Sequence, residues 1–272
     1  MSKVSQHRLD LEKIFGSNPS PADMLQLRAY LLKNSGLPGR RGNLELAHVF
    51  GNIVGDYADS YEDAYWQLCE SYLAITAEEA PVNTAEEFLP FCGTVGIGSL
   101  GAVLPHRSQQ SLAHLRRAAS DSRWRMREAV AVGLQYMLCA SPMNTMETIQ
   151  SWINDGNPLE MRAAAAAVAE PLLLNEDSFI TAALDLHRRI FTEVLKFDSR
   201  KSEAFRVLRK GLGYTLSVVV RALPDAGFAY LESLAGEHDP DVIWIIRENL
   251  KKHRLAHFYP DRVYHIKTLL SQ

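Results

Sequence analysis

The sequence predicts an all-α fold, an α-solenoid (superhelix) of HEAT-like helical repeats. Three observations predict it. Apolar residues recur at helical spacing through nearly all of the 272 residues. Strand-like alternation is scarce, and no hairpin dipeptide is flanked by β-branched runs. A cation that opens a helix of small residues recurs through the second half.

The elements follow in order along the chain. DMLQLRAYLLKN places Met24, Leu27, Leu31 and Leu32 on one helical face, and NSGLPGRRGN ends that helix. NLELAHVFGNIVGDYA, EDAYWQLCESYLAI and TAEEFLPFCGTVGIGSL read as further amphipathic helices, the last opened by a capping box of Thr84 with Glu87. Within it GIGSLG, residues 96–101, matches the glycine pattern of dinucleotide sites. That pattern has meaning only between a strand and a helix, whereas here the flanks are helical, so the glycines are expected to let helices pack closely.

In the second half, Arg127, Arg162, Lys210 and Arg247 occupy equivalent places at intervals of 35, 48 and 37 residues. These intervals bracket the roughly 40–47 residues of a HEAT-type pair. A helical pair cannot bury its apolar face alone, so the small residues after each cation serve stacking, and the cation is expected to tie neighbouring repeats. Residues 1–272 are thus read as a single solenoid domain, with 1–60 a cap or degenerate repeat and 111–255 the clearest repeats.

Composition narrows the function classes. The chain is 47% hydrophobic and 22% charged, as expected of a soluble globular protein. The net charge of -3 hides an asymmetry: residues 1–110 hold 8 Lys and Arg against 13 Asp and Glu, whereas from Arg200 onward 12 face 8. A basic C-terminal third suits a phosphate-bearing partner. Cys69, Cys92 and Cys139 share no short spacing, which argues against a disulfide framework or zinc knuckle and for a reducing compartment. Cys139, in GLQYMLCA, is expected in the core. The first residues lack the apolar core of a secretory leader and no apolar run reaches the roughly 18 residues of a membrane span, so the expected location is cytoplasmic.

Candidate chemistry is sparse. His253, His257 and His265 with Asp261 recur at fourth-residue steps, but Pro260 interrupts the helix and HRLAH lacks the glutamate of a zinc-protease motif, so no metal and no cofactor is expected. Arg123, Arg125, Arg206, Arg209, Lys251, Lys252 and Arg254 gather around the repeat positions and are the candidate DNA-binding cations, available to phosphates along a concave face. Trp66, Trp124, Trp152 and Trp244 are the aromatics that could stack on a base, although at helical spacing such residues are commonly core.

One segment resembles a known family. WINDGNPLEMRAAAAAV places Trp152-Ile153, Asn157 and Arg162-Ala163 in the register of the bacterial alkylpurine DNA glycosylases built of HEAT-like repeats. AFRVLRKGLGYTL is similar to a helix of that family with Lys210, Gly213 and Tyr214 in place. The likeness covers roughly residues 60–255 and implies the repeat fold, DNA as partner and excision of alkylated purines, with Trp152 and Asp155 as the catalytic candidates. The chain departs from the family at two positions. Gly156 stands where the family's aspartate is expected, beside Asp155, and Ser217 stands where it has an arginine, one turn before Arg221. Because a glycosylase needs its anion accurately placed, the reading from sequence is a non-catalytic protein that binds DNA, with alkylpurine glycosylase as the alternative. A scaffold that takes a protein or peptide in the same groove is the further alternative.

Overall fold

Helix follows helix through the whole of the described chain, with no strand among the described residues. The structure, a computed structural model, describes residues 2–16 and 20–271. It divides into two units, Met1–Ser141 and Pro142–Gln272.

The first unit holds α1 (Lys3–Phe15), α2 (Pro21–Asn34), α3 (Leu44–Asp56), α4 (Ala58–Leu73), α5 (Phe88–Val103), α6 (Ser108–Ala118) and α7 (Trp124–Ala140). Local chemistry starts several of them. Ser20 caps α2 in a reciprocal capping box with Asp23, and the Asn43 side chain accepts from Leu46 N to open α3. The odd-numbered helices lie side by side, α1 on α3, α3 on α5 and α5 on α7, while α4 and α6 pack behind α5. This alternation makes an all-α helical repeat fold.

Helix α5 is the centre of this unit, and every residue from Phe88 to Gly101 is buried. GIGSLG lies inside it, and its glycines are contact points, as the flanking helical pattern predicts. A Cβ on Gly96 would sit 2.4 Å from Cys69 Sγ, one on Gly98 2.3 Å from Gly133 Cα, and one on Gly101 2.5 Å from Ser111. Two local expectations change. Thr84 makes no side-chain cap; its hydroxyl donates to Pro81 O, and Glu87 instead accepts from Asn83 N at 2.7 Å. Cys139 is exposed, on the last turn of α7, where Met137 and Leu138 take the buried positions.

The second unit holds α8 (Pro142–Ser151), α9 (Pro158–Val168), α10 (Asp177–Lys196), α11 (Glu203–Ala222), α12 (Pro224–Ala235), α13 (Pro240–Leu250), α14 (His253–Ala256) and α15 (Pro260–Leu269). Again alternate helices share a layer: α9 packs on α11 and α11 on α13, with α10 and α12 behind. The alanines of α9 are all buried, so this backbone comes close to α11. Asn249, fully buried, brackets α11 and α13: its Oδ1 accepts from Ser217 N at 2.7 Å and its Nδ2 donates to Leu212 O and Ile245 O at 2.8 Å.

A buried histidine gives this unit a defined acid response. His187 Nδ1 donates to Ala183 O at 2.8 Å, because a carbonyl only accepts; Nε2 therefore accepts from the Thr215 hydroxyl at 3.1 Å. Burial pushes its pKa down to about 4. In the unfolded chain an imidazole takes up a proton near pH 6.5. Between those values acid protonates the unfolded chain and not the folded one, so stability falls with pH by about 3 kcal/mol in all. Above pH 6.5 both states hold the neutral ring and the effect vanishes. We expect the urea midpoint of the second unit to drop from pH 7 to pH 4.5 in the wild type and much less in His187→Leu. An acid slope unchanged by that substitution would refute the assignment.

Candidate functional site

The joint between α8 and α9 is built by turn chemistry. After Ser151 the chain tightens into a 3-10 turn, Trp152–Asp155, and Gly156 leaves it at φ 69°, ψ 17°, a left-handed conformation that glycine adopts without cost. Asn157 then caps α9, its Oδ1 accepting from Leu159 N at 2.9 Å and its Nδ2 donating to Glu160 Oε1 at 3.1 Å. Pro158 occupies the first turn of α9, where its missing N–H has no consequence. Arg189 on α10 holds the turn from the side, donating to Asn154 Oδ1 at 2.9 Å and to Gln150 Oε1 at 3.3 Å.

This geometry separates the two catalytic candidates. Trp152 is only 2% exposed, whereas Asp155 lies on the surface of the turn. No flat aromatic face is open to a base at Trp152, which packs with Ile153 as core. Ser217, which stands in the expected arginine's place, is buried against Asn249.

The candidate cations fall into two groups. Arg123 and Arg125, expected on the surface, are interior. Arg123 is 2% exposed and donates to Ile75 O, Thr76 O and Ala80 O and to the Asp121 carboxylate. Arg125 is 5% exposed and pairs with Glu87 at 2.9 Å. Both are committed to carbonyls and carboxylates of loops 75–87 and 39, because those loops leave acceptors with no helix to satisfy them. Neither can serve a phosphate.

Arg209 also differs from expectation, exchanging its role with Lys210. Arg209 lies over the Trp244 ring, 4.1 Å from its centroid, with Nε 3.0 Å from Asp241 Oδ1, although the N–H is not directed along that line. It is the tie between α11 and α13. Lys210, expected as the tie, is exposed. One residue is about 100° around a helix, which is enough to exchange interface for solvent.

The other expected ties are mixed. Arg162 is 7% exposed, and its Cγ would lie 3.0 Å from a Cβ on Gly211, so it packs between α9 and α11. Arg247 is exposed but donates to Leu270 O at 3.2 Å, joining α13 to the end of α15. Arg127 donates to Asp121 O and Ser122 O, holding the turn before its own helix. A further tie escaped the sequence pattern: Arg200 donates to Val194 O and Leu195 O and pairs with Asp241 at 3.2 Å. Its acceptors lie up to 41 residues away, so no local signal marks it.

What remains is a basic face on the second unit. Arg206 and Lys210, four residues apart on α11, are both exposed. Neither has an acidic partner among the described residues. Arg221, three turns beyond Lys210, continues the same helical face; it is exposed, donates to the Tyr259 hydroxyl at 2.9 Å and lies 4.5 Å from the Phe258 ring centroid. Beside α11, exposed Lys251 pairs with Glu248 at 2.5 Å, while Lys252 and Arg254 are half-exposed. His253 and His257 stack on each other with centroids 4.7 Å apart. Among the described residues no group of three His, Cys, Asp or Glu is placed to hold a metal ion, and no helix is long and apolar enough to cross a membrane.

Comparison with known proteins adds little to this geometry. No family model matches the chain, and no curated protein matches it. Among solved structures, the crystal structure of an engineered protein is similar at 14% identity over 99% of this chain and 98% of that chain, with a TM-score of 0.35.

Proposed function

We propose that the protein is a non-catalytic HEAT-like-repeat protein that binds duplex DNA through the basic face of its second unit. The observation that carries this reading is the pair Arg206 and Lys210, exposed at helical spacing with no acidic partner among the described residues. Arg221, Lys251, Lys252 and Arg254 add positive charge to the same unit. Such a face neutralises phosphates without reading bases, so its affinity follows salt and not sequence. The burial of Trp152 and of Ser217 supports the non-catalytic side of the reading.

Fluorescence anisotropy with a labelled duplex tests it. About four phosphate contacts should make affinity fall roughly 100-fold between 50 and 200 mM salt. Reversing both charges, Arg206→Glu with Lys210→Glu, should remove most of the binding without loss of fold, since both side chains are exposed. Absence of binding at 50 mM salt, or binding indifferent to the reversal, would reject the proposal. Release of methylated purines from alkylated DNA, lost in Asp155→Asn, would establish the glycosylase in its place.

A further inference from the structure

The first unit contains a groove that the basic face does not use. It lies between α2 and α4, encloses about 530 Å³, and is open to solvent on one side. Its lining is mainly apolar: Met24 and Leu25 from α2 face Ala64 and Leu68 from α4. Leu25 is 71% exposed, whereas Leu27 and Leu31 of the same helix are completely buried. Four polar residues break the apolar lining: Arg28, Gln67, Ser71 and Tyr72.

The Tyr72 hydroxyl carries the argument. The residue is 6% exposed, and its oxygen is buried with no hydrogen-bond partner. A buried hydroxyl without a partner loses its hydration for nothing in return, and such groups are rare in folded proteins. Burial pushes the phenol's pKa upward, so the group stays protonated at neutral pH and is a donor. Arg28, exposed and with no acidic partner among the described residues, lines the same groove as Tyr72. An apolar trough with a cation and an unsatisfied donor is complementary to an apolar chain that ends in an anionic acceptor.

We propose that the α2–α4 groove is a binding site for a medium-chain aliphatic carboxylate. Its chain lies along Met24, Leu25 and Leu68, and its carboxylate takes the Tyr72 hydroxyl and Arg28. The size is appropriate, since small-molecule sites commonly enclose roughly 300–1,000 Å³. The site is independent of the DNA-binding reading and stands or falls separately.

Titration calorimetry of the full chain with decanoate, below its micelle concentration, tests the proposal. We expect saturable one-to-one binding, weakened at least tenfold by Tyr72→Phe and by Arg28→Gln, and weakened similarly when decanol replaces decanoate. Leu25→Glu, at an exposed position that cannot compromise the core, should abolish binding by placing a like charge in the trough. Tyr72→Phe gives a signature that a purely structural tyrosine would not: it should raise the melting temperature of the unliganded protein while lowering the shift that decanoate produces. No saturable binding, equal affinity for decanol, or affinity unchanged in both Tyr72→Phe and Arg28→Gln would overturn the assignment.

Discussion

Arg125→Ala should destabilise the first unit by about 3–5 kcal/mol, the usual cost of removing one partner of a buried ion pair. Arg125 is one of the few charged groups inside this unit. Its Nη1 donates to Glu87 Oε2 at 2.9 Å, and its Nη2 donates to Gly39 O at 2.7 Å and to Asn83 Oδ1 at 3.2 Å. Those acceptors are themselves linked, since Asn83 Oδ1 accepts from Gly39 N at 2.9 Å and Glu87 Oε2 from Asn83 N at 2.7 Å. The network thus joins the loop before α3, the loop before α5 and the first turn of α7. Removal of the guanidinium leaves Glu87, with 0% exposure, as an uncompensated buried charge.

Three comparisons separate charge from geometry. Arg125→Lys should lose less than alanine but still be destabilising, because an ammonium cannot serve three fixed acceptors as a planar fork does. Arg125→Met with Glu87→Gln should recover part of the loss, since no charge is then left buried. Urea unfolding followed by hydrogen exchange at α5 and α7 amides reads the effect in the right unit. A cost below about 1 kcal/mol for Arg125→Ala would show the pair to be solvated and the network irrelevant.

Gly98→Ala should be comparably damaging, at about 3 kcal/mol or more. Overpacking is usually relieved by rotating a side chain, and here there is none to rotate. A Cβ on Gly98 would lie 2.3 Å from Gly133 Cα and 2.4 Å from Gly133 O, so α5 and α7 would have to separate as whole helices. Gly133 is no freer, with Leu115 Cδ2 2.9 Å and Thr94 O 3.2 Å from its own Cβ position. Gly156 is the internal control. Nothing lies within 4 Å of its Cβ position, so Gly156→Ala should carry only the left-handed backbone penalty of about 1 kcal/mol. Thermal unfolding by circular dichroism should rank Gly98→Ala far below Gly156→Ala. The reverse order would mean that the α5–α7 contact is not as close as the structure places it.

The site was less legible in the sequence than the fold. DSRWRMRE presents three arginines at alternate positions, and nothing local distinguishes Arg123 and Arg125, which go inward, from Arg127, which holds its own turn. The carbonyl partners of Arg123 lie 43 to 48 residues away and one partner of Arg125 lies 86 away. At RVLRK the same uncertainty is one of phase: a repeat pattern that places the tie at Lys210 is wrong by one residue, and Arg209 takes the position against Trp244. Tyr72 gave no signal at all, because its hydroxyl is conspicuous only through the absence of a partner in three dimensions.

The helical class and the packing role of GIGSLG were both determined by the sequence alone. Each follows from hydrogen bonding and apolar spacing within a few residues, where side-chain type dictates backbone form. Only the tertiary structure decided that Trp152 is core, that Arg123 and Arg125 satisfy loop carbonyls, and that Arg206 and Lys210 are exposed with no acidic partner among the described residues. The physical reason is that burial and partner choice belong to surfaces made by distant segments. A cation's availability therefore depends on which carbonyls and carboxylates the folded loops bring to it.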